Sequence, residues 1–292
     1  MLQENKDKRF AIFLFTVGIL TILIIGWIGR DYYFLSLEDK YKSPMHEIFK
    51  PSGLFGHALG FIGAALMILN FMYSWRKRYE FQERFGNLKN WLEFHMFVGL
   101  LGPTLILYHS IFRFHGIIAI VSFFSMVLVV ISGIIGRYIY IQIPRNIAGL
   151  ELSGAELEKE YSEISSTLEA KLQNNKELSN LCSQYCSDKI NRNQKNFKLL
   201  IELLKNDIHN KKKVDRLKKL LTTKGYSDDS LKDIVELVSK KIIINRQILL
   251  WEGTHKLLDS WRFIHKKLSW VLFITLAVHL IVTLVFGFTW VF

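Results

Sequence analysis

Four histidines fall into two pairs of equal spacing, His95 with His109 and His265 with His279, each pair fourteen residues apart. An imidazole can carry a proton near neutral pH, hydrogen-bond through either ring nitrogen, or ligate a metal. Both pairs lie in apolar stretches, Trp91 to Phe112 and Trp261 to Phe292. An unpartnered imidazole in such a medium costs on the order of 1–3 kcal/mol. Along a helix, fourteen residues rise about 21 Å and return to within about 40° of the starting face. Each helix therefore shows two imidazoles on one face, one towards each side of a bilayer. Two such helices face to face make two stacked pairs.

The elements that must hold these pairs are membrane spans. Half of the 292 residues are apolar, and Phe10 to Ile28 is long enough to cross a bilayer. It ends in Gly-Trp-Ile-Gly-Arg-Asp without a small-residue cleavage site, so it reads as a retained span. A mixed-charge loop from Arg30 to Ser52 follows, with Tyr32, Tyr33 and Phe34 placed for an interfacial belt. The second span, Gly53 to Trp75, carries Gly53, Gly56, Gly60 and Gly63 on a closely approaching face and ends in Arg76-Lys77-Arg78. Trp91 to Phe112 is the third span and Ile117 to Tyr140 the fourth, closed by Pro144.

Residues 145–262 are charged, with helical periodicity at Phe197, Leu200, Leu203, Leu204 and Ile208, and they read as a helical insert. Lys224-Gly225-Tyr-Ser-Asp-Asp reads as a helix stop and a new N-cap. The expected organisation is all-α: spans one to four in 1–144, a soluble helical insert in 145–262, and span five in 263–292.

The net charge is +12, and Lys and Arg cluster in the first ten residues, between Trp75 and Lys89, and from Arg145 to Lys267. That is the pattern of cytoplasmic segments, not of a nucleic-acid binder. It places the N-terminus and insert inside and the C-terminus outside, in a bacterial inner (cytoplasmic) membrane. Spans three and five are then parallel. His95 faces His265 near the cytoplasmic surface, and His109 faces His279 nearer the outside. Cys182 and Cys186 imply neither a disulfide framework nor, as two ligands alone, a metal site.

Haem iron accepts two axial imidazoles and offers a flat apolar disc to the residues around it. Gly99 and Gly102, with Ser132, Gly133 and Gly136, would clear space for macrocycles. Propionates need cations, which Arg76, Arg78, Lys89, Arg137, Arg262 and Lys266 can supply on the inner side and Arg113 on the outer. Zinc or copper is the weaker reading, because no carboxylate or thiol accompanies the histidines. A plain set of interhelical hydrogen bonds or a proton path is the alternative.

Here a resemblance enters. His-x13-His with Lys after the first histidine, His265-Lys-Lys-Leu-Ser-Trp…His279, resembles the membrane domain of ferric reductases and NADPH oxidases. The paired layout is also similar to the cytochrome b subunit of quinol–cytochrome c reductases. The resemblance covers spans two to five. It implies two non-covalent b haems forming an electron wire, with His95, His109, His265 and His279 as the ligands of haem iron. Those reductases continue into a flavin and nicotinamide domain, and the insert here shows no Gly-rich dinucleotide fingerprint. The expected function is transmembrane electron transfer as a cytochrome b module of a quinol- or reductase-linked chain. It would be an electron-transfer subunit of an oxidoreductase, without catalytic residues of its own.

His57 and His115 are candidates for a quinone head group or a further haem, and an interfacial hydrogen bond is the plainer role for each. The expected partners are the lipid bilayer and a redox protein or the quinone pool, with homo- or hetero-oligomers open. Two other readings stand: a haem-responsive sensor with the insert as output domain, and a proton or metal transporter.

Overall fold

The computed structural model describes residues 2–78, 88–112, 116–144, 151–172, 180, 196–223 and 228–285. Regular structure among them is helical, without a strand. The helices are α1 (Leu2–Ile28), α2 (Arg30–Tyr33), α3 (Leu37–Lys42), α4 (His46–Phe49), α5 (Leu54–Leu69), α6 (Phe71–Arg78), α7 (Leu88–His109) and α8 (Ile117–Gln142). They are followed by α9 (Gly154–Leu172), α10 (Asn196–Thr223) and α11 (Asp228–Val285). Five stretches are long and apolar enough to cross a membrane: Arg9–Ile28, His46–Arg78, Leu88–His109, Ile117–Gln142 and Lys232–Val285. Their outward faces expose Phe15, Leu23, Phe124, Ile274 and Ile281, as a surface solvated by lipid would.

The chain divides into two compact units, one of 1–134 with 265–292 and one of 135–264. In the first, α5 packs on α7 through glycine. A Cβ on Gly63 would stand 3.0 Å from the Gly102 carbonyl oxygen, and one on Gly102 would stand 3.1 Å from that of Gly63. The two backbones touch there, which only small residues permit. This corrects the role expected for two glycines: Gly102 packs helix on helix, and Gly99 faces the Asn70 side chain. A cluster of Ala64, Met67, Met126, Leu272 and Leu276 joins α5, α8 and α11.

The loop after α1 is folded inward. Tyr32 is fully buried and Tyr33 nearly so, in a cluster with Ile25, Phe49, Leu59, Leu101, Leu105 and Ile111. They are core residues of the first unit, not an interfacial belt. Burial pushes the Tyr33 hydroxyl well above the usual phenol range, with Tyr108 and Tyr32 adding to it. Lys40 is buried as well. Its Nζ donates to the Ile111 carbonyl at 3.4 Å and lies over the rings of Tyr32 and Phe112. Ile111 and Phe112 both take left-handed backbone conformations, φ 49° and 60°. For a β-branched residue such as Ile111 that is a strained position.

The second unit contains α9, α10, the last turns of α8 and α11 as far as Ile264. One core is Leu168, Leu172, Leu217, Ile234, Val238 and Ile242, and another is Ile139, Ile143, Leu199, Leu203, Leu250, Leu257 and Leu258. Ser153 and Glu156 close a capping box at the start of α9, Ser153 N donating to Glu156 Oε2 at 2.7 Å and Glu156 N to Ser153 Oγ at 3.3 Å. Those bonds hold the Glu156 carboxyl below its ordinary range. Asp207 accepts from Tyr138 at 2.5 Å, from Gln142 at 3.1 Å and from Arg246.

Several boundaries differ from those expected: the third span runs Leu88–His109 rather than Trp91 to Phe112. The second span extends to Arg78 and is broken at Asn70. The fourth span continues to Gln142, and from Ile135 onward it packs with the insert. The insert's last helix and the fifth span are one helix of 58 residues, α11. Nothing in that segment breaks a helix except Gly253, and a change of composition alone does not.

Candidate functional site

The first unit brings the four histidines together as two pairs. Helix α7 carries His95 and His109, and the last part of α11 carries His265 and His279. His265 lies within electrostatic reach of His95, and His279 and His57 within reach of His109. First therefore meets first and second meets second, so α7 and this part of α11 run parallel. All four rings are half-buried. Leu272, midway between the α11 histidines, belongs to the apolar cluster with Met67 and Met126, so apolar side chains lie between the two levels.

Three of the rings are oriented through Nδ1. His109 Nδ1 donates to the Gly56 carbonyl at 2.8 Å, and His95 Nδ1 to the Asn70 carbonyl at 3.4 Å. His265 Nδ1 lies 3.0 Å from Ser132 Oγ. The local structure explains the carbonyl partners. Asn70 occupies the break between α5 and α6, and a carbonyl at a break tilts away from its helix and becomes reachable by a side chain. The Gly56 carbonyl is one turn above Gly60, where a Cβ would stand 2.8 Å from His109 Nδ1. Glycine at position 60 lets the ring come in beneath that carbonyl. With Nδ1 engaged, Nε2 is the nitrogen able to face a metal, and ligating histidines are held in this way by their second nitrogen.

No family model matches the chain, and neither a curated protein nor a solved structure shows significant similarity to it.

The predicted cations distribute unevenly. Arg76 and Arg78 stand on α6, whose Tyr73 ring lies 5.1 Å from that of His95. Lys89 and Lys266 are exposed in the first unit. Arg137 and Arg262 fall in the second unit, where Arg137 stands 5.8 Å from the Tyr140 ring and Arg262 pairs with Asp259 at 2.9 Å. His57 is buried on α5 with its ring against Phe61, on the His109 level. His46 bonds to the Tyr32 hydroxyl at 2.8 Å. Arg113, His115, Cys182 and Cys186 lie outside the described residues.

Ser132 as the partner of His265, and the Asn70 and Gly56 carbonyls, were not foreseen as ring partners. The serine carried a signal, being a hydroxyl in an otherwise apolar span. The carbonyls carried none. Among the described residues, no three His, Cys, Asp or Glu side chains gather as a multidentate metal site would require.

Proposed function

We propose that this protein is a membrane cytochrome of the b type that carries electrons between two bis-histidine haem sites. His95 with His265 would hold the haem of one site, and His109 with His279 that of the other. The observation that carries the reading is the set of Nδ1 partners at two matched levels: Asn70 and Ser132 at one, Gly56 at the other. Bound haem supplies one-electron transfer at iron.

The donor set fits that group. Each level offers two imidazoles, three of the four oriented through Nδ1, and a two-imidazole set at each level would suit haem iron. Zinc takes four protein donors in a structural site or three in a catalytic one. The apolar side chains of Ala64, Met67, Met126, Leu272 and Leu276 lie between the levels. Arg76, on the α6 face that also carries Tyr73, is the cation best placed for a propionate at the His95 level. The charge of its short loops supports that level facing the cytoplasm and the His109 level the outside. The paired-histidine layout resembles that of ferric reductase and cytochrome b membrane domains. A quinol at the His109 level, with His57 beside it, or a soluble redox protein at the His95 level would exchange electrons with the chain.

The test is the visible spectrum of the purified protein. Reduced b-type bands, with two haems per chain, are expected. His95→Ala and His279→Ala should each remove one of the two. A folded, colourless protein, or bands indifferent to both substitutions, would overturn the reading. The continuous α11 favours a second reading, a haem-responsive sensor with the insert as output. That reading requires hydrogen exchange in 228–260 to change on reduction.

A further inference from the structure

Helix α6 turns its basic end in two directions. At about 100° per residue, Arg76 lies about 60° round the helix from Tyr73, whose ring meets His95. Arg78 lies about 140° from Tyr73, on the outer side. Arg76 is half-buried, with its Nε shielded from solvent, whereas Arg78 is exposed and makes no ion pair among the described residues. On the outer side Phe71, Ser74, Trp75 and Arg78, at i, i+3, i+4 and i+7, line an open cavity of about 310 Å³. Phe71 and Trp75 are 41% and 65% exposed. The Phe71 ring lies tilted against that of Phe273, centroids 4.0 Å apart, so the apolar floor continues onto α11. The groove is thus apolar at the α5 end and ends in a hydroxyl and a guanidinium.

We propose that this groove binds one anionic phospholipid. Its phosphate oxygens accept from the Arg78 guanidinium and the Ser74 hydroxyl, and its glycerol and first acyl carbons lie along Trp75 and Phe71. A guanidinium presents paired donors that match two phosphate oxygens. Tryptophan favours the level where head groups meet acyl chains. The run Arg76-Lys77-Arg78 at the end of a candidate span supplies charge that an anionic leaflet complements. A water-soluble phosphate would leave Phe71 and Trp75 exposed. A propionate at the His95 level would find Arg76 on the correct face and Arg78 turned away. The lipid site rests on α6 lying at a membrane surface and is independent of haem.

The experiment uses the full chain in nanodiscs of phosphatidylcholine with a minority of phosphatidylglycerol, followed by native mass spectrometry of the released protein. Wild type should retain phosphatidylglycerol about fivefold above its share of the bulk lipid, the preference one basic side chain at an anionic surface supports. Arg78→Gln should abolish that enrichment and Arg78→Lys should keep part of it. Lys256→Gln, an exposed cation elsewhere, should leave it intact. Retention in the bulk ratio by wild type, or equal enrichment in wild type and Arg78→Gln, would overturn the site. So would an equal loss in Arg78→Gln and Lys256→Gln, which would mark attraction to net charge alone. Size-exclusion profiles establish that each variant is folded. The visible spectrum of Arg78→Gln reports on the haem reading separately.

Discussion

His109 is seated on Gly60: a side-chain carbon at position 60 would stand 2.8 Å from its Nδ1 and 2.9 Å from its Cε1. The hydrogen bond from that ring to the Gly56 carbonyl depends on the missing atom. Gly60→Ala should therefore push the ring out although alanine is the better helix former. Overpacking of this kind costs typically about 1–3 kcal/mol. On the proposed haem reading, the expected outcome is a folded protein whose haem content falls from two per chain towards one, with the His95 level keeping its bands. A pyridine haemochrome assay against protein concentration checks it, and unchanged stoichiometry would show that the ring is not held by Gly60.

Ser132 offers a side-chain partner that can be deleted without touching a backbone. It meets His265 Nδ1 at 3.0 Å. Loss of such an outer partner commonly lowers metal affinity about 10–100-fold. Ser132→Ala should lose haem from the His95–His265 level on dilution or gel filtration, and Ser132→Thr, which keeps the hydroxyl, should retain it. Titration of haem into the stripped variants gives the comparison. Equal affinity in Ser132→Ala and wild type would remove Ser132 from the ligand-orienting set.

The pairing of the histidines was legible because fourteen residues nearly close a whole number of helical turns and because basic loops suggest parallel spans. What holds the rings was not. The Asn70 carbonyl becomes available only through a one-residue break that an apolar run does not announce, and the Gly56 carbonyl only through Gly60 one turn away. Gly102 looked like room for a cofactor and is room for the backbone of Gly63, because a glycine stripe does not say which neighbour uses the space. Composition also hid α11. The change from charged to apolar at Trp261 resembles a domain boundary, but helical hydrogen bonding is indifferent to it. The burial of Lys40 gave no signal, since a lysine in a mixed-charge loop is ordinarily solvated.

That lysine makes the loop after α1 pH-dependent. Burial lowers the Lys40 pKa below its ordinary 10.5. The folded loop therefore favours the neutral amine, and between the two pKa values the unfolded chain binds more protons. Stability must then rise with pH across that window, be complete above 10.5, and be lost as pH falls through the folded value. Lys40→Met should flatten the dependence and release the Ile111 carbonyl, loosening the strained turn at Ile111 and Phe112. Thermal unfolding over an alkaline pH series checks the first effect. Hydrogen exchange in 108–112 checks the second. A wild-type midpoint that does not rise with pH would show that Lys40 is not buried as an amine.

In the second unit the Arg246 guanidinium is almost wholly buried and is held by Asp207 and, at 2.7 Å, by Gln142 Oε1. Asp207 also takes the Tyr138 hydroxyl and the Gln142 amide, so one carboxylate neutralises the cation and ties α8, α10 and α11 together. Removing one member of a buried pair leaves the other charge without compensation and costs about 3–5 kcal/mol. Asp207 is partly exposed, so the lower end of that range applies. Asp207→Ala should lower stability by about 3 kcal/mol, while Asp207→Leu combined with Arg246→Met should recover most of it, since apolar replacements of similar volume remove both charges at once. Chemical denaturation of the single and double variants measures the difference. A double variant no more stable than Asp207→Ala would mean that the site depends on hydrogen bonds to Tyr138 and Gln142 rather than on compensating charge.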